Sequence, residues 1–170
     1  MVSVKMLLLI FTVLQVSPPP TLVRGDRFQI IVPQGWKVLI AGTDVALGHS
    51  SGASLLLLRA VPVANLADFA ERQAERIMIP LGLAKLGEPQ HFKASNQEWV
   101  QYEIRGDRMD EHRRILYRAF RRGAGLFELV YENSDDRFEG LLTEAQEIGS
   151  SLQTLGQSPS PSRRPVRRHP

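Results

Sequence analysis

Four strand-like segments follow one another in the second half of the sequence, with only short connections between them. They span residues 90–93, 98–105, 112–121 and 126–132. The connections at 95–97, 106–111 and 123–125 contain the glycine, asparagine, serine and aspartate residues that tight turns favour. Parallel neighbours need a long crossover, so strands joined this closely predict an antiparallel meander.

A helical pattern lies on each side of this meander. The first spans residues 64–83, where Asn65 is a suitable N-cap and Pro80 ends the helix. The second begins after a cap at Asn133 or Ser134 and ends before Gly156. The apolar positions recur at helical spacing and predict amphipathic helices that pack on a sheet. In the first helix they are Leu66, Phe69, Ala70, Ala74, Ile77, Met78 and Leu81, and in the second Phe138, Leu141, Leu142, Ala145, Ile148, Leu152 and Leu155.

Further strands are predicted ahead of the first helix. Apolar residues alternate in 28–32 and 36–40, and we expect Pro33 and Gly35 to turn a hairpin between them, with Trp36 in the core. A short strand at 45–48 precedes the apolar run 53–61, whose four consecutive leucines predict a strand covered on both faces. The order of elements predicts an α+β domain, an antiparallel β-sheet with helices packed on it.

Both ends of the chain differ in composition from this body. Residues 1–25 contain one lysine, an apolar run at 6–16 and a proline cluster, which is typical of a signal peptide that is too short to span a membrane. Cleavage after Gly25 would make Asp26 the first mature residue and the protein periplasmic or secreted; retention of the segment is the alternative. The predicted domain covers 26–155, and 156–170 reads as a flexible basic tail rich in proline and arginine.

The net charge of the whole chain differs in sign from the net charge of residues 26–155. The sequence has a formal net charge of +3 and a pI of about 9.6, but six of its 21 basic residues lie outside 26–155 and all 18 acidic residues lie within. A mildly acidic body argues against a general nucleic-acid-binding surface. The chain has no cysteine, which excludes disulfides, thiolate metal sites and a lipoprotein anchor.

The segment that opens the body resembles a known family. Phe28, Ile30, Pro33, Gly35 and Trp36 form an opening Phe-x-Ile-x-Val-Pro-x-Gly-Trp, and residues 125–132 form an aromatic-bearing strand. With the order of elements, these resemble the PsbP-like domains over roughly residues 26–155. The resemblance implies an α/β/α sandwich, shared with a Ran-binding nuclear transport factor, and no catalytic motif. Plant members of the family assist photosystem II, and bacterial members are mostly secreted proteins or lipoproteins.

The segment Gly48-His49-Ser50-Ser51-Gly52 matches the nucleophile elbow of serine hydrolases. That motif exposes its serine on a turn from a strand into a helix. Here the following residues read as a strand, and only Asp68 with His91 would follow Ser50 in the required order. A small-residue turn is therefore our interpretation, and a small serine hydrolase is the alternative.

Two charged groupings admit a binding hypothesis. Asp107, Asp110, Glu111 and His112 lie in the predicted 107–112 turn, where they would hold a metal ion if neighbouring arginines did not neutralise them. Arg114, Arg118 and Arg122 share one strand face, which would bind anions unless Glu103, Glu128 or Glu132 lies opposite them. A one-residue slip of register reverses that outcome, and cross-strand ion pairing is our interpretation.

The sequence thus predicts a secreted, non-enzymatic module for binding or assembly at the cell envelope. It predicts no catalytic residue, no cofactor, no metal site and no nucleic-acid partner; the expected partner is a protein or an envelope component of unknown identity. The tail arginines would add weak, salt-sensitive contact with anionic polymers or lipid headgroups. They are Arg163, Arg164, Arg167 and Arg168. A metal- or anion-binding domain that uses the 107–112 turn is a further alternative.

Overall fold

The computed structural model describes residues 19–94 and 97–155. The helices are α1 (Leu66–Met78) and α2 (Phe138–Ser150), and a 3₁₀ turn at Asp135–Arg137 leads into α2. The strands are β1 (Thr21–Arg24), β2 (Phe28–Val32), β3 (Trp36–Ala41), β4 (Val45–His49), β5 (Ser54–Ala60), β6 (Gly82–Leu86), β7 (Gln90–Ala94), β8 (Gln97–Arg108), β9 (Glu111–Arg122), β10 (Gly125–Ser134) and β11 (Gln153–Thr154).

The strands form a large and a small antiparallel sheet. The large sheet has the order β3-β4-β5-β10-β9-β8-β6, and β7 pairs with the other end of β8. The small sheet has the order β1-β2-β11, so both ends of the described chain lie beside β2.

Side chains of the large sheet alternate between two faces, which we call the α1 face and the α2 face after the helix on each. On β9, Ile115 and Tyr117 belong to the core under α1, whereas Leu116 and Phe120 belong to the core under α2. Helix α1 packs on β6, β8 and β9, and α2 packs on β10 and on β2 of the small sheet. The sheet thus has an apolar core on both sides, as an α/β/α sandwich requires.

The meander is confirmed, and so is the first helix, although α1 ends at Met78 and the predicted stripe residue Leu81 lies beyond it. Asn65 caps α1, because its Oδ1 accepts hydrogen bonds from the backbone N–H groups of Ala67 (3.0 Å) and Asp68 (3.3 Å). Strands β7 to β10 are consecutive antiparallel neighbours. The turn between β8 and β9 is shorter than predicted, since only Met109 and Asp110 form it, both with positive φ.

The predicted hairpin at Pro33 and Gly35 is wrong. β2 pairs with β1 and β11, whereas β3 pairs with β4, so this corner carries the chain from the small sheet to the large one. Gly35 has φ +94°, as the third position of a type II turn requires. Trp36 is buried at the corner, as predicted. Alternation in a sequence indicates which side chains share a face but not which strand lies alongside.

Two further predictions need correction. Leu56 is 40% exposed while Leu55 and Leu57 are fully buried, so the leucine run is covered on one face and open on much of the other. The second helix is shorter than its apolar stripe: α2 ends at Ser150, and the chain then forms β11 beside β2. Neither Asn133 nor Ser134 caps α2 directly, because the 3₁₀ turn intervenes.

The strand β1 lies inside the predicted signal segment. Val23, on this strand, is 7% exposed and packs in the core with Phe28 and Ile30. Cleavage after Gly25 would therefore remove a strand from the small sheet. Most of the predicted signal segment (1–18) and the predicted tail (156–170) lie outside the described residues, and their boundaries stay predictions. No helix of the described residues is long and apolar enough to cross a membrane.

Candidate functional site

Three of the five arginines of β9, namely Arg114, Arg118 and Arg122, lie on the α2 face and form a row between the two ends of α2. The register places Glu103 of β8 on the same face as the row, whereas Glu128 of β10 points to the α1 face and accepts no hydrogen bond from these arginines. Only one of the three acidic residues considered from the sequence therefore reaches the row, since Glu132 also lies on the α1 face, where it binds Arg108 and Arg113.

Arg114 has the ion pairs that the sequence predicts. Its Nη2 lies 2.7 Å from a Glu103 carboxylate oxygen, its Nη1 lies 2.7 Å from Glu139 on α2, and its guanidinium lies over the Phe138 ring. The hydrogen bond from Arg114 holds the pKa of Glu103 below its usual range, and the same bond raises the pKa of Arg114. This arginine ties β8 and β9 to the start of α2.

Arg118 is placed differently, because no carboxylate of the described residues pairs with it. Its Nε donates a 2.8 Å hydrogen bond to Oε1 of the buried Gln101, and its guanidinium carbon lies 4.8 Å from the centroid of the Trp99 ring. Burial lowers the pKa of this guanidinium, which nevertheless remains charged. The predicted ion pairing does not extend to this position.

The neighbours of Arg118 are themselves held in place. Gln101 donates to Oε1 of Gln90 on β7 over 3.2 Å, which leaves its own Oε1 to accept from Arg118. The Trp99 ring stacks on Phe92, with centroids 5.5 Å apart and planes at 13°. A cationic side chain fixed from two sides loses little freedom when an anion binds to it.

Arg122 lies four positions beyond Arg118 on β9, beside the end of α2. Its Nη2 donates to the carbonyl oxygen of Ser150 over 3.2 Å, and its Nε is buried without a hydrogen-bond partner among the described residues. The Nε of Arg114 is buried in the same way, so this feature does not by itself distinguish the end of α2; an unpaired buried N–H group is costly, and a water or a ligand group would satisfy it.

Arg118 and Arg122 border one cleft between the meander and the end of α2, which we call the Arg118 cleft. Its volume is about 60 Å³. Phe120, Leu129 and Gly149 supply apolar walls, and the rim is polar. Glu98 also lines the rim, but Arg121 (2.8 Å) and Lys93 (3.5 Å) neutralise its carboxylate. The cleft therefore presents a fixed positive charge beside apolar surface.

The segment Gly48-His49-Ser50-Ser51-Gly52 is not a nucleophile elbow. It joins β4 to β5, which are antiparallel neighbours, and the backbone closes with hydrogen bonds between His49 and both Gly52 and Ala53. His49 Nδ1 lies 2.9 Å from Ser51 Oγ, not from Ser50, and has no carboxylate partner among the described residues. The strand-to-helix turn that this chemistry needs is therefore replaced by a hairpin, which rules out the hydrolase alternative based on Ser50.

Two of the three acidic residues of the 107–112 segment contact basic side chains. Asp107 binds His112 across the strand pair (2.6 Å), and Glu111 binds Arg113 (3.0 Å). Asp110 lies in the two-residue turn between the strands. Within the described ranges, no group of three or more potential ligands is arranged to hold a metal ion. The competition from arginine that the sequence suggests is present at Glu111.

Sequence reasoning identified the arginine row but not the cleft. Trp99 reads as a packing residue, and nothing in the sequence pairs it with Arg118 rather than with Arg114. The usable signal is the four-residue spacing of the arginines, which on a strand keeps all three on one face. The pairing of β8 with β9 and the end point of α2, which decide what each arginine meets, are tertiary facts.

Solved structures of other proteins share this fold. The chain matches LpqN of Mycobacterium tuberculosis, a protein involved in cell envelope biogenesis, with a TM-score of 0.57 and 12% identity, over 81% of this chain and 91% of that one. It matches the cyanobacterial PsbP protein CyanoP of Synechocystis sp. PCC 6803 with a TM-score of 0.55 and 16% identity, over 75% and 86% of the two chains.

A eukaryotic protein has the same arrangement. The chain matches the Ran-binding protein Mog1p of Saccharomyces cerevisiae with a TM-score of 0.54 and 8% identity, over 75% of this chain and 90% of that one. No protein-family model and no curated protein matches the sequence. At these identities the likeness concerns the fold: the chain has the PsbP-like α/β/α sandwich that its opening segment predicted.

Proposed function

We propose that this chain, a PsbP-like sandwich, is a non-catalytic binding module that acts outside the cytoplasm at the cell envelope. In this proposal the Arg118 cleft is the part of the surface that engages the partner. The observation that carries it is a partly buried arginine that is fixed by Trp99 and Gln101 but is paired with no carboxylate of the residues that the structure describes.

A binding role explains this arrangement better than a structural one. Arg114, on the same face, has two carboxylate partners and links three elements of the fold. Arg118 occupies an equivalent position on the strand without such partners, although burying an unpaired charge costs stability. A partner that supplies the missing anion would recover that cost on binding.

The proposed location is supported by the amino-terminal apolar run and by the fold. Residues 6–16 and the prolines that follow have the composition of a secretory signal. One structural neighbour, LpqN, is a protein of cell envelope biogenesis, and another, Mog1p, binds a protein. A protein partner at the envelope is consistent with both.

The test is a cross-linking capture from an envelope fraction of the native organism. The wild-type chain should retain a specific partner, Arg118→Gln should lose it, and Arg72→Gln should retain it. Arg72 is exposed on α1, on the opposite side of the sheet, so its replacement removes the same charge away from the cleft. The proposal is contradicted if no partner is retained at any salt concentration, or if both variants behave alike.

A further inference from the structure

Three arginines line the Arg118 cleft, and two of them point to the chemical class of its ligand, since Arg121 is paired with Glu98. Arg118 is held by Trp99 and Gln101 before any ligand binds, and among the described residues the buried Nε of Arg122 has no partner. Guanidinium groups placed in this way favour anionic oxygen atoms, to which they donate charge-assisted hydrogen bonds. The ligand group is therefore an oxyanion.

The size of the cleft limits how much of a ligand enters it. Pockets that enclose whole small molecules usually hold several hundred Å³, whereas this cleft holds about 60 Å³. Its walls include the buried side chains of Phe120 and Leu129. One small charged group on a short apolar stem fits both the volume and the apolar walls.

The end of α2 favours a single negative charge over a double one. Ser150, the last residue of α2, lines the cleft and directs its carbonyl oxygen to Arg122. The carboxyl end of a helix carries a partial negative charge, which opposes an anion more strongly as the charge of that anion rises. A carboxylate is therefore preferred to a phosphate, which is close to doubly charged at neutral pH.

We propose that the Arg118 cleft binds the carboxylate of an aspartate or glutamate side chain on a partner polypeptide. This inference rests on the proposed binding function and names the group that the partner supplies. An acidic side chain brings one carboxylate on one or two methylene groups, which places its charge between Arg118 and Arg122 and its stem against Phe120 and Leu129.

Nuclear magnetic resonance of the ¹⁵N-labelled protein tests the assignment with defined probes. The probes are propionate, a blocked Gly-Gly-Glu-Gly-Gly peptide, its glutamine counterpart, inorganic phosphate, and vesicles of phosphatidylglycerol. The chain has two tryptophans, and the indole N–H of Trp36 already donates to Glu144 (2.9 Å). The Trp99 indole signal therefore reports on the cleft, and the Trp36 signal serves as an internal reference.

Propionate and the glutamate peptide should shift the Trp99 signal saturably, with a Kd on the order of 1 mM for one exposed charge-assisted contact. Arg118→Gln should weaken this binding about tenfold or more, and Arg118→Lys should weaken it less, since it keeps the charge but not the planar fork. Arg72→Gln should leave it unchanged. An unperturbed Trp36 signal in each variant shows that the core has folded.

The carboxylate assignment is overturned if propionate and the glutamate peptide leave Trp99 unshifted, or if the glutamine peptide binds equally. It is also overturned if phosphate or the vesicles bind more tightly, because the site would then serve phosphate groups. If these probes fail while Arg118→Gln still loses its partner in the envelope capture, only this assignment falls and the proposed binding function stands.

Discussion

Arg114 and Arg118 lie four positions apart on one face of β9. The side chains around each of them give the two guanidinium groups different roles. Arg114 meets carboxylates from β8 and α2, so its charge is used within the fold. Arg118 meets the face of an indole and an amide oxygen, which orient its charge without neutralising it. At the scale of single residues, the distinction between structural and functional arginine lies in the partner and not in the residue type.

Trp36 is expected to contribute strongly to stability. Its ring is 7% exposed, it packs near Tyr131 and His49, and its Nε1 donates to Glu144 on α2. Trp36→Ala should lower the free energy of unfolding by about 3–5 kcal/mol. Trp36→Phe keeps most of the ring and should cost clearly less. Urea denaturation followed by circular dichroism measures both, and a wild-type midpoint for Trp36→Ala would show that the residue does not anchor this corner.

Glu128 should make stability depend on pH. Burial raises the pKa of its carboxyl group above the unfolded value, although Tyr117 donates to it over 2.9 Å and Arg76 favours its charge. The folded state therefore holds this proton more tightly than the unfolded state, so the contribution is fully present below the unfolded pKa and is lost as pH rises through the folded pKa.

Glu128→Gln should accordingly raise the free energy of unfolding at neutral pH and approach the wild type below the unfolded pKa of about 4.3. Denaturation series at several pH values measure the difference between the two proteins. Glu147→Gln, at an exposed position on α2 that forms no ion pair with the described residues, is a control for loss of one negative charge. A Glu128→Gln benefit that grows toward acid pH would contradict the assigned direction.

At the scale of elements, a glycine allows β8 to approach the end of α1 and the start of β6. A Cβ at Gly106 would lie 2.9 Å from the Leu81 Cβ and 3.1 Å from the backbone oxygen of Gly82. Gly106→Ala should force these elements apart and destabilise the protein by about 1–3 kcal/mol. Gly140→Ala is the matched control on α2, where nothing lies within 4 Å, and it should stabilise by up to about 1 kcal/mol.

Thermal unfolding of the two glycine variants provides the measurement. We expect the melting temperature to fall for Gly106→Ala and to rise for Gly140→Ala. Equal shifts of the two variants would mean that helix and strand propensity, rather than the close approach at Gly106, dominates the effect.

The strand β1 leads to a prediction about processing. Val23 is part of the core, and Gly25 and Asp26 form backbone hydrogen bonds at the following turn. We therefore expect the mature protein to retain Thr21–Arg24, with any cleavage on the amino-terminal side of Thr21. Mass spectrometry of the protein from its native compartment identifies the first residue. A mature chain that starts at Asp26 would support the cleavage site predicted from the sequence instead.

Across the whole molecule, the elements with strong local signals were predictable. The local sequence shows the apolar stripe of α1 and its Asn65 cap. It also shows the turn residues that separate the strands of the meander. The β6 strand was missed because the helical pattern was extended to residue 83 and no strand pattern was identified in residues 84–86. The two residues of β11 are too few for any periodic signal, and their strand character comes from pairing with β2.

The candidate site shows the same limit. The sequence places Arg114, Arg118 and Arg122 on one face, because that follows from the period of a strand. It does not show that Glu103 lies beside Arg114 or that α2 ends beside Arg122, because both depend on register and on packing between distant segments. The cleft is therefore a property of the assembled sandwich.

The small sheet determines how the protein would respond to mechanical load. β1 and β11 flank β2 and run in the same direction, with Thr21 aligned with Val32 and Thr154 aligned with Phe28. A force that pulls the two ends apart would drag β1 and β11 in opposite senses along β2, so the bonds on both sides are loaded together in shear. The small sheet would therefore take this load first.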